Sequence, residues 1–446
     1  MKGRIYPVIF LGLFFLFLWG RAGAGVPNAG DGMRIGSAVG RITVYNWKGS
    51  FMRNGWGFFI DDQGSLVTWG HLLEGGSFAE VTTSAGETVT LTHIVHEDRE
   101  TGLVVAGLEY PPDRITFIRT QDRFPGEGDR VLVGGGIGCD PGSYVDGRVL
   151  SVRDVDVFGS MARISSPFAT SGSPVFNRWG KLVGMVFLKP EGSGDGSWAV
   201  PVSGLAMLVQ AERKPVEYAQ WSDQDGGGWL EGNTGAYLAG FVYYWAGDFE
   251  NALSCLARAA RDERFAREAH FLIGGCNDGL ARYSRSVDAY AMAIALGSRS
   301  SEAHLRLARA YRETGDLESA IGSCWEAIRI EHEKAEAFLL LSAIYNALGN
   351  FQNALAASYA AIRLLPDSAE AYLEAGISLR SMNRFPDAVR LFRKAMASQP
   401  EWGIVYWHLA LTYYYSGDLP SAMETCEALR PIDGRLAERL QAGLRQ

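Results

Sequence analysis

The sequence predicts a multidomain chain of two structural classes, an all-β amino-terminal half followed by an all-α helical-repeat solenoid. Three observations carry this. Between residues 35 and 210, short runs of β-branched and aromatic residues alternate with Gly, Asp and Asn, as in a barrel or sandwich of short strands. From Asn233 to Gly434, six segments repeat at one unbroken period. A fixed period of about 34 residues marks stacked helical units. Between the two halves, residues 211–232 are mostly polar and include Asp225-Gly226-Gly227-Gly228, the composition of a linker.

Positions 1–24 read as a targeting segment. Lys2 and Arg4 precede an apolar run from Ile5 to Trp19, and Ala22-Gly23-Ala24 offers a small-x-small cleavage site. This is the layout of a secretory signal, with an uncleaved anchor as the alternative because Arg21 sits close to that site. Either way the body of the chain is expected to be exported, into a bacterial periplasm or outside the cell.

In the β half, strands are expected at Arg41–Tyr45, Trp56–Ile60, Ser65–Thr68, Val131–Val133 and Leu182–Phe187. Five motifs run through them in order. They are Asn54-Gly55-Trp56-Gly57-Phe58-Phe59-Ile60, Thr68-Trp69-Gly70-His71 after an Asp62-Gln63-Gly64 turn, Ala169-Thr170-Ser171-Gly172-Ser173-Pro174, Lys181-Leu182-Val183-Gly184 and Trp198-Ala199-Val200-Pro201-Val202. Together they resemble the trypsin-like serine peptidases, especially the compact bacterial group that includes the HtrA proteases. The resemblance implies a double β-barrel over residues 35–210. It also implies Ser171 as nucleophile and His71 as its base, because a serine hydroxyl attacks only when a base takes its proton. The backbone N–H groups of Ala169 and Ser171 would form the oxyanion hole. Val186 and Phe187 would wall the specificity pocket, with Ser165 near its base, favouring a small or medium apolar side chain.

Two positions depart from that family's pattern. The stretch Asp98-Arg99-Glu100-Thr101-Gly102-Leu103 has Gly102 where the triad aspartate belongs, and losing that acid alone costs a serine-protease triad about 10⁴ in turnover. Asp98 and Glu100 lack the right offset. Ala169 stands where the family usually has Gly, and a Cβ there disfavours some backbone conformations.

Other candidates carry less. Gly134-Gly135-Gly136-Ile137-Gly138 lacks the spacing and the Lys of a phosphate loop and reads as a turn. His93 and His96, three apart on a strand, face opposite sides, so no metal site is expected. No cofactor is expected.

The repeat half is legible in its turns. Gly247-Asp248-Phe249, Ala281-Arg282-Tyr283, Gly315-Asp316-Leu317, Gly349-Asn350-Phe351, Asn383-Arg384-Phe385 and Gly417-Asp418-Leu419 follow one another at constant spacing. Seven residues earlier stand Gly240, Gly274, Ala308, Ser342, Gly376 and Ala410, and five later Ala252, Ser286, Ala320, Ala354, Ala388 and Ala422. All are small, as two closely packed antiparallel helices require. The period and this pattern resemble tetratricopeptide repeats: six of them over 233–434, with a capping helix in 435–446. The resemblance implies a concave face built from the first helix of each repeat. In it stand Tyr237, Phe241, Tyr244, Arg309, Arg312, Asn346, Arg380, Trp407, Leu411 and Tyr414. Aromatic ends and a basic-polar middle would suit an extended protein segment with apolar anchors and an acidic centre.

The chain has 446 residues and a net charge of −8, so with no basic cluster nucleic acid is not an expected partner. Its five cysteines are odd in number and form no CxxC, so they read as small buried apolar residues. Two functions fit. One is an exported serine endopeptidase, weakened at Gly102, whose repeats recruit substrates or regulators. The other is a pseudoprotease whose barrels bind protein without cutting it.

Overall fold

The computed structural model describes residues 36–98, 101–113, 115–117, 124–135, 140, 143–155, 159–166, 169–187, 196–202, 215–222 and 232–444. The expected targeting segment lies outside them. Among the described residues no helix is long and apolar enough to cross a membrane.

The β half forms two closed barrels. Strands β1 (Val39–Tyr45), β2 (Phe51–Phe59), β3 (Leu66–Trp69), β4 (Phe78–Thr82), β5 (Thr88–Asp98) and β6 (Leu103–Leu108) make the first, ordered β5-β4-β1-β2-β3-β6 and closed by β5–β6 pairing. Strands β7 (Arg130–Gly134), β8 (Tyr144–Val155), β9 (Gly159–Ser165), β10 (Pro174–Asn177), β11 (Leu182–Val186) and β12 (Gly196–Pro201) close the second. The alternation along β1, with Ile42 and Val44 buried, is what a barrel wall with one face inward requires.

The stretch expected to be a linker is in part structured against the first barrel. Val216–Glu217 adds strand β13 beside β5, and Tyr218–Ser222 follows as a short helix. Tyr218 donates to the Leu73 carbonyl at 2.7 Å, and Trp221 Nε1 to Glu97 at 3.3 Å. Two aromatic anchors outweigh the polar composition that suggested a linker.

Then come six helix pairs: Asn233–Ala246 with Phe249–Ala259, Glu263–Gly279 with Tyr283–Ala295, Ser301–Thr314 with Leu317–Ile330, Ala335–Ala347 with Phe351–Leu364, Ala369–Ser381 with Phe385–Ser398, and Gly403–Tyr415 with Leu419–Leu429. A last helix, Gly434–Leu444, buries Ala437, Leu440 and Leu444 against the array. The small residues mark the close approaches: a Cβ on Gly274 would stand 2.5 Å from the Tyr290 ring, and one on Gly376 2.5 Å from Phe392.

All six turns between paired helices pass through the left-handed region, at Gly247, Ala281, Gly315, Gly349, Asn383 and Gly417. The Asp248, Asp316, Asn350 and Asp418 side chains then cap the second helix by accepting a backbone N–H. Ala281 has φ 54° with a Cβ that makes this conformation costly. Ala281→Gly is therefore expected to stabilise the chain by up to about 1 kcal/mol. A rise in the urea midpoint at unchanged slope checks this, and a fall would contradict it.

Candidate active site between the two barrels

The nucleophile loop is held in the second barrel and faces the histidine carried by the first. His71 lies in the one-turn helix Gly70–Leu73 at the end of β3, fixed by a 2.8 Å bond from Gly70 N–H to the Gly102 carbonyl. Ser171 sits in a tight turn closed by Ser173 N–H to the Thr170 carbonyl at 3.0 Å and Thr170 N–H to Ser173 Oγ at 3.1 Å. Gly172 has φ 86°, and a Cβ on it would fall 2.0 Å from the Trp56 carbonyl oxygen. Only glycine fits so close an approach.

His71 Nε2 and Ser171 Oγ meet at 2.9 Å, joining residues 100 positions apart. The far side of the imidazole is different. Nδ1 is buried and, among the described residues, has no hydrogen-bond partner. Gly102 takes φ 79°, and its carbonyl is held by Gly70. Asp98 accepts the Thr101 hydroxyl at 2.6 Å, so it closes the β5–β6 turn. Glu97 accepts from Trp221. Glu100 lies outside the described residues.

The charge beside the histidine is a cation. Arg53 donates from Nη1 to the His71 carbonyl at 3.2 Å and from Nη2 to the Glu74 carbonyl. Burial, reinforced by the Arg53 guanidinium, pushes the His71 pKa down to about 3. The imidazole is thus neutral in the folded chain and would charge in the unfolded one below its ordinary 6.5. The unfolded state then binds more protons between those values, so stability falls as pH drops from 6.5 toward 3. This group alone is expected to remove about 1.4 kcal/mol per pH unit well inside that window. Urea melts of wild type and His71→Gln from pH 7 to pH 4 check this, and equal acid slopes in both would refute it.

The tautomer follows from the same contacts. Ser171 Oγ also donates to the Phe187 carbonyl. With its one proton placed there, Ser171 can only accept from His71, which requires the hydrogen on Nε2. The opposite tautomer would put an N–H at Nδ1, buried with no acceptor among the described residues, and orphaned buried N–H groups are rare. The form the contacts favour is therefore one in which His71 donates to Ser171 and cannot take its proton.

The surrounding residues depart from expectation in several places. The Ala169 N–H, expected in the oxyanion hole, instead bonds the Ser166 carbonyl at 3.4 Å, and Ala169 is fully buried. Phe187 is also fully buried. Its ring stands edge-on to His71 at 5.4 Å and to Trp69 at 5.2 Å. It backs the imidazole and does not wall an open pocket. Val186 is in the second barrel's core, and Ser165 Oγ accepts the Arg148 N–H at 3.0 Å. Arg53 is a neighbour that sequence reasoning missed, because nothing in its surrounding motif signals a charge near the histidine.

The expected groove also divides. Tyr237 and Phe241 are buried. Phe241 meets Trp198 of β12 at 5.0 Å, so the first repeat is docked on the second barrel. Tyr237 stacks on Phe265, and Tyr244 packs edge-on to Trp245. Trp407, Leu411 and Tyr414 lie half-buried along the terminal cluster. Arg380 contacts His408 Nδ1 at 2.9 Å, and Asn346 donates to Glu374 at 2.7 Å. Arg309 and Arg312 line a 320 Å³ cavity that also holds Glu336, Glu370 and Glu374. The middle of the concave face is therefore of mixed charge. The expected basic centre fails because repeats four and five bring carboxylates into the same cavity as the two arginines. Among the described residues, no cluster of three His, Cys, Asp or Glu side chains could hold a metal.

Comparison with known proteins agrees with this architecture. Residues 55–185 match the trypsin-like peptidase domain model, and residues 237–300, 278–332 and 373–436 match a tetratricopeptide repeat model. No curated protein matches the chain. Similar solved structures include the protein MamA (22% identity, 37% of this chain and 97% of that one, TM-score 0.35). A tetratricopeptide repeat protein from Parabacteroides merdae is 18% identical over 46% of this chain and 85% of its own, with TM-score 0.41. An HtrA-type protease with a tripeptide is 19% identical, with TM-score 0.36. That match spans 42% of this chain and 63% of the protease.

Proposed function

We propose, for a chain that joins a trypsin-like peptidase domain to tetratricopeptide repeats, that the barrels act as a protein-binding scaffold with a paired but unoriented Ser171 and His71. Of the two functions the sequence leaves open, the pseudoprotease is favoured by one observation, the buried Nδ1 of His71 with no partner among the described residues. A triad histidine is a far weaker catalytic base, by about 10⁴ in turnover, when no third group holds the right tautomer. Here the neighbouring charge is Arg53, which opposes the imidazolium that proton transfer would create. The Ala169 N–H bond to Ser166 removes half of the expected oxyanion donor pair.

The 2.9 Å contact between His71 and Ser171 supports a second reading, a slow endopeptidase. Fluorophosphonate labelling and peptide hydrolysis separate the two. The scaffold reading expects no hydrolysis on a broad peptide panel and the same background with Ser171→Ala. Turnover that vanishes in both Ser171→Ala and His71→Ala would establish the peptidase.

The repeats, in this proposal, hold a protein or peptide partner, and docking of Phe241 on Trp198 keeps them in a fixed pose on the barrels. The whole acts after export, in a periplasm or outside the cell, either released near Gly25 or held by its apolar segment. This rests on Lys2, Arg4 and the Ile5–Trp19 run. N-terminal sequencing of the exported chain decides between release and retention. Finding all of the protein inside the cell would overturn export itself.

A further inference from the structure

Glu302 of the third repeat recurs as Glu336 in the fourth and Glu370 in the fifth, one repeat period apart each time. In the third repeat this carboxylate is neutralised twice: Arg306 reaches Glu302 at 2.7 Å and Lys334 at 3.7 Å. The same two slots are filled by Leu340 and Ser368 around Glu336, and by Glu374 and Trp402 around Glu370. Both cations are thus lost together in the next two repeats. Glu336 and Glu370 line a 320 Å³ cavity together with leucines, Trp402, Arg309 and Arg312. Glu374 is partly desolvated there, and burial raises its pKa even though Asn346 donates to it.

We propose that this cavity takes an arginine side chain from an extended partner segment, seated between Glu336 and Glu370 with its plane against Trp402. The inference rests on the reading that the repeats hold a protein partner, and it names that partner's chemistry. A guanidinium supplies the charge that Arg306 and Lys334 supply one repeat earlier. Its planar, weakly hydrated head stacks on an indole and forks onto carboxylates, which an ammonium does less well. The lining leucines suit the aliphatic stem. Arg309 and Arg312, which line the same cavity, repel a second cation and favour an acidic or neutral neighbour in the segment. The occupant expected from the sequence, with an acidic centre, would set its carboxylates against three glutamates.

The test uses the full chain and three fluorescein-labelled decapeptides, leucine-rich and identical except for one central residue: arginine, citrulline or glutamate. Anisotropy is read at low and moderate salt. Citrulline keeps the shape of arginine and removes its charge. The arginine peptide is expected to bind at least about tenfold more tightly than its citrulline twin, the worth of one charge-assisted contact. The combined Glu336→Gln and Glu370→Gln change is expected to bring that ratio to about one while leaving the citrulline peptide unaffected. Trp402→Ala should weaken the arginine peptide most. Equal binding of arginine and citrulline, tightest binding of glutamate, or a preference that survives the double change would each overturn the proposal. If the preference is absent but Arg312→Ala still weakens all three peptides, the repeats hold peptides and only the arginine assignment fails. If no peptide binds, both readings fall.

Discussion

Trp198→Ala is expected to cost about 3–5 kcal/mol, the range for removing a fully packed large aromatic, and to uncouple the repeats from the barrels. Trp198 is 3% exposed and belongs to one continuous apolar cluster that runs from Trp69 and Phe187 behind His71 to Phe241 and Leu256 in the first repeat. Its ring meets Phe241 at 5.0 Å and Trp245 at 6.1 Å, and Arg153 lies over the outer face of Trp245 at 5.3 Å. Truncation leaves a cavity at the seam between two domains that cannot collapse without moving one of them. Thermal unfolding should then split, with the repeats melting apart from the barrels, and protease cleavage between the domains should quicken. Trp325→Ala is the control. That side chain is half-exposed, so its loss should stay within about 0.5 kcal/mol. Equal effects from the two changes would mean that the seam carries no stability.

The second large effect concerns repair of the triad. Restoring an acid is worth about 10⁴ in a triad that lacks nothing else. Gly102→Asp alone is nevertheless expected to leave hydrolysis within about tenfold of wild type, because three obstacles remain. Gly102 has φ 79°, where a side chain costs about 1–2 kcal/mol. Phe187, fully buried and edge-on to the imidazole at 5.4 Å, brings no polar group to hold a new carboxylate. Ala169 still donates to Ser166. Adding Ala169→Gly and Phe187→Ser should exceed the single change by far more than the sum of its parts, since an orienter, a polar group to hold it and an oxyanion donor act as one unit. Steady-state hydrolysis of a casein-type substrate measures this. A rise of several thousandfold from Gly102→Asp alone would mean that the missing acid was the only defect.

Much of this molecule is readable in its residues. The constant repeat period, the small residues at helix crossings and the six turn triplets place every paired helix, and the first residue of each triplet is the left-handed one, including Ala281 and Asn383. Local chemistry suffices there because each repeat packs mainly on its neighbours. The five β motifs bring His71 and Ser171 into the same turns that position them at 2.9 Å. Gly102 and Ala169 are visible as departures for the same reason: a motif fixes what should stand at each offset.

What stayed hidden depends on groups far apart along the chain. Glu97 is engaged by Trp221, 124 residues further along the chain, and no acid among the described residues bonds the far nitrogen of His71. The aromatic stripe of the first repeat fits a groove or a core equally well by spacing. The approach of Trp198 to Phe241 and of Phe265 to Tyr237 makes it core. The charge of the concave face follows the same logic. Arg309 and Arg312 stand out along the sequence, but Glu336, Glu370 and Glu374 come beside them only when three repeats stack. The two architectures, their order and the pairing of Ser171 with His71 are thus written in periodicity and local turns. The histidine's tautomer, the docking of the repeats and the sign of the groove arise only on folding, because electrostatics and burial depend on distance in space, which separation along the chain does not set.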